Sequence, residues 1–127
     1  MAGRLTVRRL REHCLGKPGA WPDNPFREDG WVVKVGEAPR AGKIFAFLGE
    51  QTLGVKLGTG RDEADEWLAR YPGHASVMAY LGRSGWNTLT LGGAIPDDDI
   101  LGAADESYSR VVAGLPHRHR PLGWEQA

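Results

Sequence analysis

The sequence predicts an α+β fold, a two-layer domain in which an antiparallel five-stranded sheet packs against helices in the order α-β-β-β-α-β-β-α. Three observations lead there. Five short runs are rich in β-branched and aromatic residues and bounded by turn formers, as strands are. Three other segments place apolar residues at spacings of three and four, the period of helices. The spacers inside the first strand group are hairpin-length, which suits antiparallel neighbours rather than long parallel crossovers.

Thr6 is placed to cap the first helix, and Val7, Leu10 and Cys14 fall on one face of it. Gly16, Pro18 and Gly19 end it. The stretch PGAWPDNPF holds three prolines and is expected to cross the surface or edge of the sheet. In WVVKV, Trp31, Val33 and Val35 oppose Val32 and Lys34. In KIFAFL, Ile44, Ala46 and Leu48 oppose Lys43, Phe45 and Phe47, and in LGVKL, Leu53, Val55 and Leu57 oppose Gly54 and Lys56.

The second helix follows the break at GTG. Asp62 is read as its cap, acids crowd its start, Arg70 closes it, and Ala64, Trp67 and Leu68 form its buried stripe. HASVMAYL and WNTLTL read as the last two strands, joined by the turn GRSG. In the third helix Asp97 is read as the cap. Ile100, Leu101, Ala104, Tyr108, Val111, Val112 and Leu115 recur at helical spacing.

A chain of 127 residues with 41% apolar and 25% charged residues suits one domain, here 1–127 with its core about 5–117. The tail 118–127 has no period and is expected to be mobile. No apolar run approaches a membrane span. Arginines stand where a secretory signal would be apolar, and the single cysteine fits a reducing compartment, so a cytoplasmic location is expected. Sixteen basic residues balance sixteen acidic ones, which removes any whole-molecule attraction for nucleic acid and leaves only local patches.

Enzyme signatures are mostly absent. The glycines of LGTGRDE lack the Lys-Ser/Thr of a phosphate loop, and no strand is followed by a dinucleotide fingerprint. His117-x-His119 does not complete a metal shell, and Cys14 lies on an apolar stripe where a thiolate is disfavoured. The acids Asp97, Asp98 and Asp99 serve a helix start. The sequence therefore predicts no catalytic activity, no cofactor and no metal.

Chemistry that binds rather than reacts is better represented. If each strand turns its more apolar side to the helices, the other side collects Lys34, Lys43 and Lys56 with Phe45, Phe47 and Trp86, a mixture suited to stacking bases and holding phosphates. The alternative is that Phe45 and Phe47 lie inside, because the second strand is apolar on both sides. The hairpin from Arg83 through Trp86 to Asn87 is a second candidate, since arginine forks onto phosphate and asparagine reads base edges. Basic residues near both ends, among them Arg8 and Arg118, form a third.

The sequence also resembles the MmcQ/YjbR family of small bacterial proteins. The likeness covers roughly residues 5–117 and runs through Pro18-Gly19-Ala20, Pro25-Phe26, Val33-Lys34-Val35, Lys43-Ile44-Phe45-Ala46 and Val55-Lys56-Leu57. It continues in Tyr71-Pro72-Gly73, Trp86-Asn87-Thr88-Leu89, Ile95-Pro96-Asp97, Ser107-Tyr108 and Leu115-Pro116. That resemblance implies a domain similar to CyaY-like and secretion-chaperone-like folds, and a DNA-binding role through a double wing of β-hairpins. Two departures stand out: Gly85 takes the place where the family usually carries a histidine, and the EAPRAG turn is longer than usual. A monomeric DNA-binding module is the first expectation, a protein-interaction or chaperone-like module the second, and a metabolite-binding enzyme the third.

Overall fold

In the computed structural model, residues 4–24, 30–38, 40 and 42–127 are described. Thr6 caps the first helix as its residue type dictates, its hydroxyl accepting the Arg9 amide at 3.1 Å, and α1 runs Val7–Leu15. Leu10 and Cys14 are fully buried on its inner face. The remaining elements are β1 (Ala20–Asp23), β2 (Trp31–Val35), β3 (Lys43–Leu48), β4 (Thr52–Lys56), α2 (Arg61–Arg70), β5 (Ala75–Val77), β6 (Trp86–Thr90) and α3 (Asp97–Ala113), with short 3-10 turns at Gly82–Ser84, His117–His119 and Trp124–Gln126. Pro25 and Phe26, and Pro39 and Ala41 of the first hairpin turn, lie outside the described residues.

The sheet has six strands, not five, all antiparallel in the order β1-β2-β3-β4-β6-β5. The additional strand is the proline-containing stretch after α1. Pro22 cannot donate to a ladder, but β1 pairs only with β2 and forms an edge, the position where proline is tolerated. At the opposite edge, the predicted strand over HASVMAYL is shortened to Ala75–Val77, and the chain turns out of the sheet from Ala79 to Gly85.

Register partners share a face of a sheet, so the pairings decide what lies inside. Val33 opposes Ala46 and Trp31 opposes Leu48, while Leu53 opposes both Leu48 and Leu89. This side carries all three helices. Tyr108 of α3 meets Phe45 edge-on at 5.2 Å, Arg11 of α1 lies over Trp31, and Asn87 reaches the Ala64 carbonyl of α2.

The alternation breaks in β3. Val33 opposes Ala46 but Lys34 opposes Ile44, so Phe45 is the extra residue of a β-bulge. Phe45, Ala46 and Leu48 are buried toward the helices, whereas Ile44 and Phe47 take the other side. Neither of the two parities available to this strand from its sequence is therefore followed throughout. The aromatic pair is split, Phe45 in the core and Phe47 against Trp86 on the far side, ring centroids 5.5 Å apart.

α1 and α3 lie side by side and point the same way. The Leu5 amide donates to Asp97 at 2.9 Å at one end, and the Tyr108 hydroxyl donates to the Pro18 carbonyl at 2.6 Å at the other. Asp97 is the first helical residue rather than the cap, which is Pro96, and its carboxylate serves α1 instead. Asp62 likewise sits inside the first turn of α2, whose cap is Gly60. The C-terminal segment turns back toward the end of α3. Arg120 donates to the carbonyls of Leu115 at 3.0 Å and Ala113 at 2.7 Å and stacks on Trp124, which packs on the core.

Candidate nucleic-acid interface

The three lysines expected on one wet face are dispersed. Lys34 does lie on the helix-free side, opposite Ile44. Its ammonium is held by Asp23 at 2.8 Å and lies over the Trp21 ring, and this bond keeps the Asp23 carboxyl below its usual range. Lys43 opposes Val35, because the bulge reverses the parity of everything in β3 before Ala46, so it leaves the side of Lys34. Lys56 opposes Trp86, but its ammonium turns onto the Ser84 carbonyl. Burial lowers its pKa, as does the nearby Arg110. A single lysine-bearing platform is not what the register builds.

Trp86 and Asn87 are also committed to the interior. Trp86 is on the helix-free side, as the two-residue period requires, yet it is 7% exposed against Phe47. Asn87 is fully buried; its amide donates to the Ala64 carbonyl at 2.8 Å and its oxygen accepts from Arg61 at 2.8 Å. It reads the backbone of α2, not a base edge. Arg8 pairs with Glu12 at 3.4 Å near the start of α1, whereas Arg118 lines a cleft with Gly19 and Gly36 past the other end of that helix. Most of α1, a helix of nine residues or about two and a half turns, stands between them.

What the structure does gather is a set of cations around the β5–β6 turn. Arg61, at the start of α2, donates to the carbonyls of Gly82 at 2.8 Å and Trp86 at 3.1 Å, and pairs with Asp65 at 2.7 Å. Lys56 reaches the Ser84 carbonyl from the other side. Arg83 sits between these anchors, exposed, and no ion pair among the described residues engages it. The turn is closed by Ser84 N–H to Leu81 O and Gly85 N–H to Gly82 O, both 3.0 Å. Gly85 has a φ of 87°, and a Cβ there would run into the Gly58 carbonyl, so a histidine at this place would not fit the turn as built.

Immediately before this turn Tyr80 has a φ of 66°, and the Leu81 amide closes over it onto the Ala79 carbonyl at 2.7 Å. A three-residue turn of that hand is the rarer, strained form. The Tyr80 ring is wholly exposed. Tyr80 was not among the residues singled out from the sequence. Its tyrosine type alone gives no signal there, because HASVMAYL reads as continuous strand.

A shallow apolar groove of about 200 Å³ opens on the helix-free side, lined by Val32, Phe47, Gly54 and Met78 with Trp31 at its rim. Among the described residues no three His, Cys, Asp or Glu side chains gather as a metal site, and no helix is long and apolar enough to cross a membrane. Cys14 is fully buried, and burial, with Asp105 nearby, pushes its thiol up to about 12.

This is a small α+β domain with helices on one side of an antiparallel sheet and an arginine-bearing turn at one edge. The chain belongs to the YjbR family, whose model matches residues 15–110. It is 29% identical over 120 residues to the uncharacterized protein YjbR of Escherichia coli K12, covering 93% of this chain and 97% of that one, and equally similar to its counterpart in Escherichia coli O157:H7. Its fold is similar to the crystal structure of Deinococcus radiodurans protein DR2400, with a TM-score of 0.81 at 24% identity, covering 91% of this chain and 85% of that one.

Proposed function

We propose that the chain is a nucleic-acid-binding module that contacts the phosphate backbone through the β5–β6 turn. The observation that carries this reading is the convergence of Lys56, Arg61 and Arg83 on Gly82–Gly85, with Arg83 left facing solvent. Two of the cations hold the turn in shape by its carbonyls. The third is then presented on a rigid support, which limits the entropy lost when it forks onto a phosphate. A protein of zero net charge needs such a local patch, because its overall field attracts no polyanion.

Fluorescence anisotropy of labelled DNA at about 50 mM and about 200 mM salt tests the reading. Affinity is expected to fall as salt rises, and Arg83→Ala is expected to weaken binding and reduce the log–log salt slope by about 1. Absence of binding at low salt, or binding that ignores both salt and Arg83→Ala, overturns it.

A second reading, a protein-interaction module, is favoured by the apolar groove at Val32, Phe47 and Met78. It requires a partner whose binding is lost on Phe47→Glu and is indifferent to Arg83→Ala.

A further inference from the structure

We infer that Tyr80 is a stacking platform for an unpaired nucleobase, which makes single-stranded nucleic acid the substrate class of this turn; the inference rests on the nucleic-acid reading above. The backbone at Tyr80 is held in a conformation that bulky side chains avoid, since a positive φ crowds the Cβ against the chain. Strain of this kind persists only where surrounding structure imposes it, and it gathers at working sites. Here the imposing structure is visible on both sides. On the β5 side, Met78 N–H bonds to Trp86 O at 3.2 Å and the Met78 sulfur covers Gly54. Beyond Tyr80, the 3-10 turn is fastened by Arg61 at the Gly82 carbonyl.

The ring recovers none of that strain by packing, because it is wholly in solvent. A structural tyrosine would bury its face or tie down its hydroxyl, as Tyr108 and Tyr71 do in this molecule. Tyr80 does neither. It stands three residues before Arg83, so an exposed aromatic ring and a guanidinium that no ion pair among the described residues engages are carried on consecutive turns of the β5–β6 connection. That pairing matches a nucleotide, with the base on the ring and its phosphate on the arginine. Within a duplex both faces of a base are covered by its neighbours, so a projecting ring has a free face to meet only where bases are unpaired.

The test compares a labelled single strand, the same strand with an abasic position, and a duplex of the same sequence. Single strands are expected to bind more tightly than the duplex. Tyr80→Ala should cost about 5- to 150-fold on the intact strand, and Tyr80→Phe should retain most of the affinity. Tyr80→Gly supplies a readout that a structural role would not give. Glycine adopts the positive φ without steric cost, and this relief offsets its added freedom in the unfolded chain, so the variant should be about as stable as the parent in urea while binding weakly. Salt-dependent binding that treats single strand and duplex alike, or that survives Tyr80→Ala, overturns the stacking role and leaves the phosphate-binding reading standing. If no nucleic acid binds at low salt, both fall. If self-association appears instead and is lost in Tyr80→Ala, the ring belongs to a protein contact and the inference is overturned.

Discussion

Ser107 of α3 donates its hydroxyl to the Phe45 carbonyl at 2.6 Å. The same oxygen accepts the Lys56 amide at 2.8 Å. β3 and β4 pair only at Phe47–Gly54 and Leu48–Leu53, so beyond the bulge the two strands part and a carbonyl of one and an amide of the other lose their ladder partners. A fully buried serine side chain satisfies both. The bulge and Ser107 are thus one device. Phe45, the bulged residue, meets Tyr108, and α3 supplies the hydrogen bonds that the opened ladder lacks.

Ser107→Ala leaves a buried carbonyl and a buried amide without partners, a loss expected to cost about 1–3 kcal/mol for each group left unsatisfied. The urea midpoint should fall with little change in slope. A midpoint within error of the parent would show that the gap is bridged in some other way.

Asn87→Ala separates two roles for the same residue. As a buried link between β6 and α2 it should lower stability by about 1–3 kcal/mol and leave the nucleic-acid affinity of the folded fraction unchanged. Urea unfolding and anisotropy on one preparation give both numbers. Lost affinity at unchanged stability would return Asn87 to the interface.

Cys14 should be inert in the folded protein, because it is buried and its thiol is pushed up to about 12. At about pH 8, where an ordinary cysteine is partly thiolate, a thiol reagent should label it only as fast as the chain unfolds. Rapid labelling in native buffer would contradict the packing of α1.

Asp105 joins α1 to α3. One of its oxygens meets His13 at 2.7 Å and Lys17 at 2.6 Å. Burial opposes ionisation of this carboxyl, but the hydrogen bonds from Lys17 and His13 outweigh it and hold the pKa below the usual carboxylate range. A group whose folded pKa is depressed stabilises the fold above its unfolded value, and that contribution is lost as pH falls through the folded value. The stability gap between the parent and Asp105→Asn should therefore narrow as pH drops below about 4. A gap unchanged between about pH 5 and about pH 3 would show that the carboxylate contributes nothing in its charged form.

Periodicity and local chemistry in the sequence determined the three helices, the capping of α1 by Thr6, the burial of Leu10, Cys14, Ile100 and Tyr108, and the antiparallel character of the sheet. These are short-range properties: a helix stripe or a cap is written within a few neighbouring residues. Family membership was legible for a similar reason, as a set of short motifs in a fixed order. Tertiary structure alone decided the face of Phe45, the displacement of Lys43 from the side of Lys34, the recruitment of Ala20–Asp23 as a sixth strand and the burial of Asn87. Alternation fixes a strand's faces only while the ladder is regular, and one bulged residue inverts everything beyond it. Whether a proline-bearing segment pairs, or an asparagine points at a helix, depends on partners up to dozens of residues away in the chain. The turn at Tyr80 belongs to that second group, because the strain and exposure that mark it arise only when β5 and β6 are held together around it.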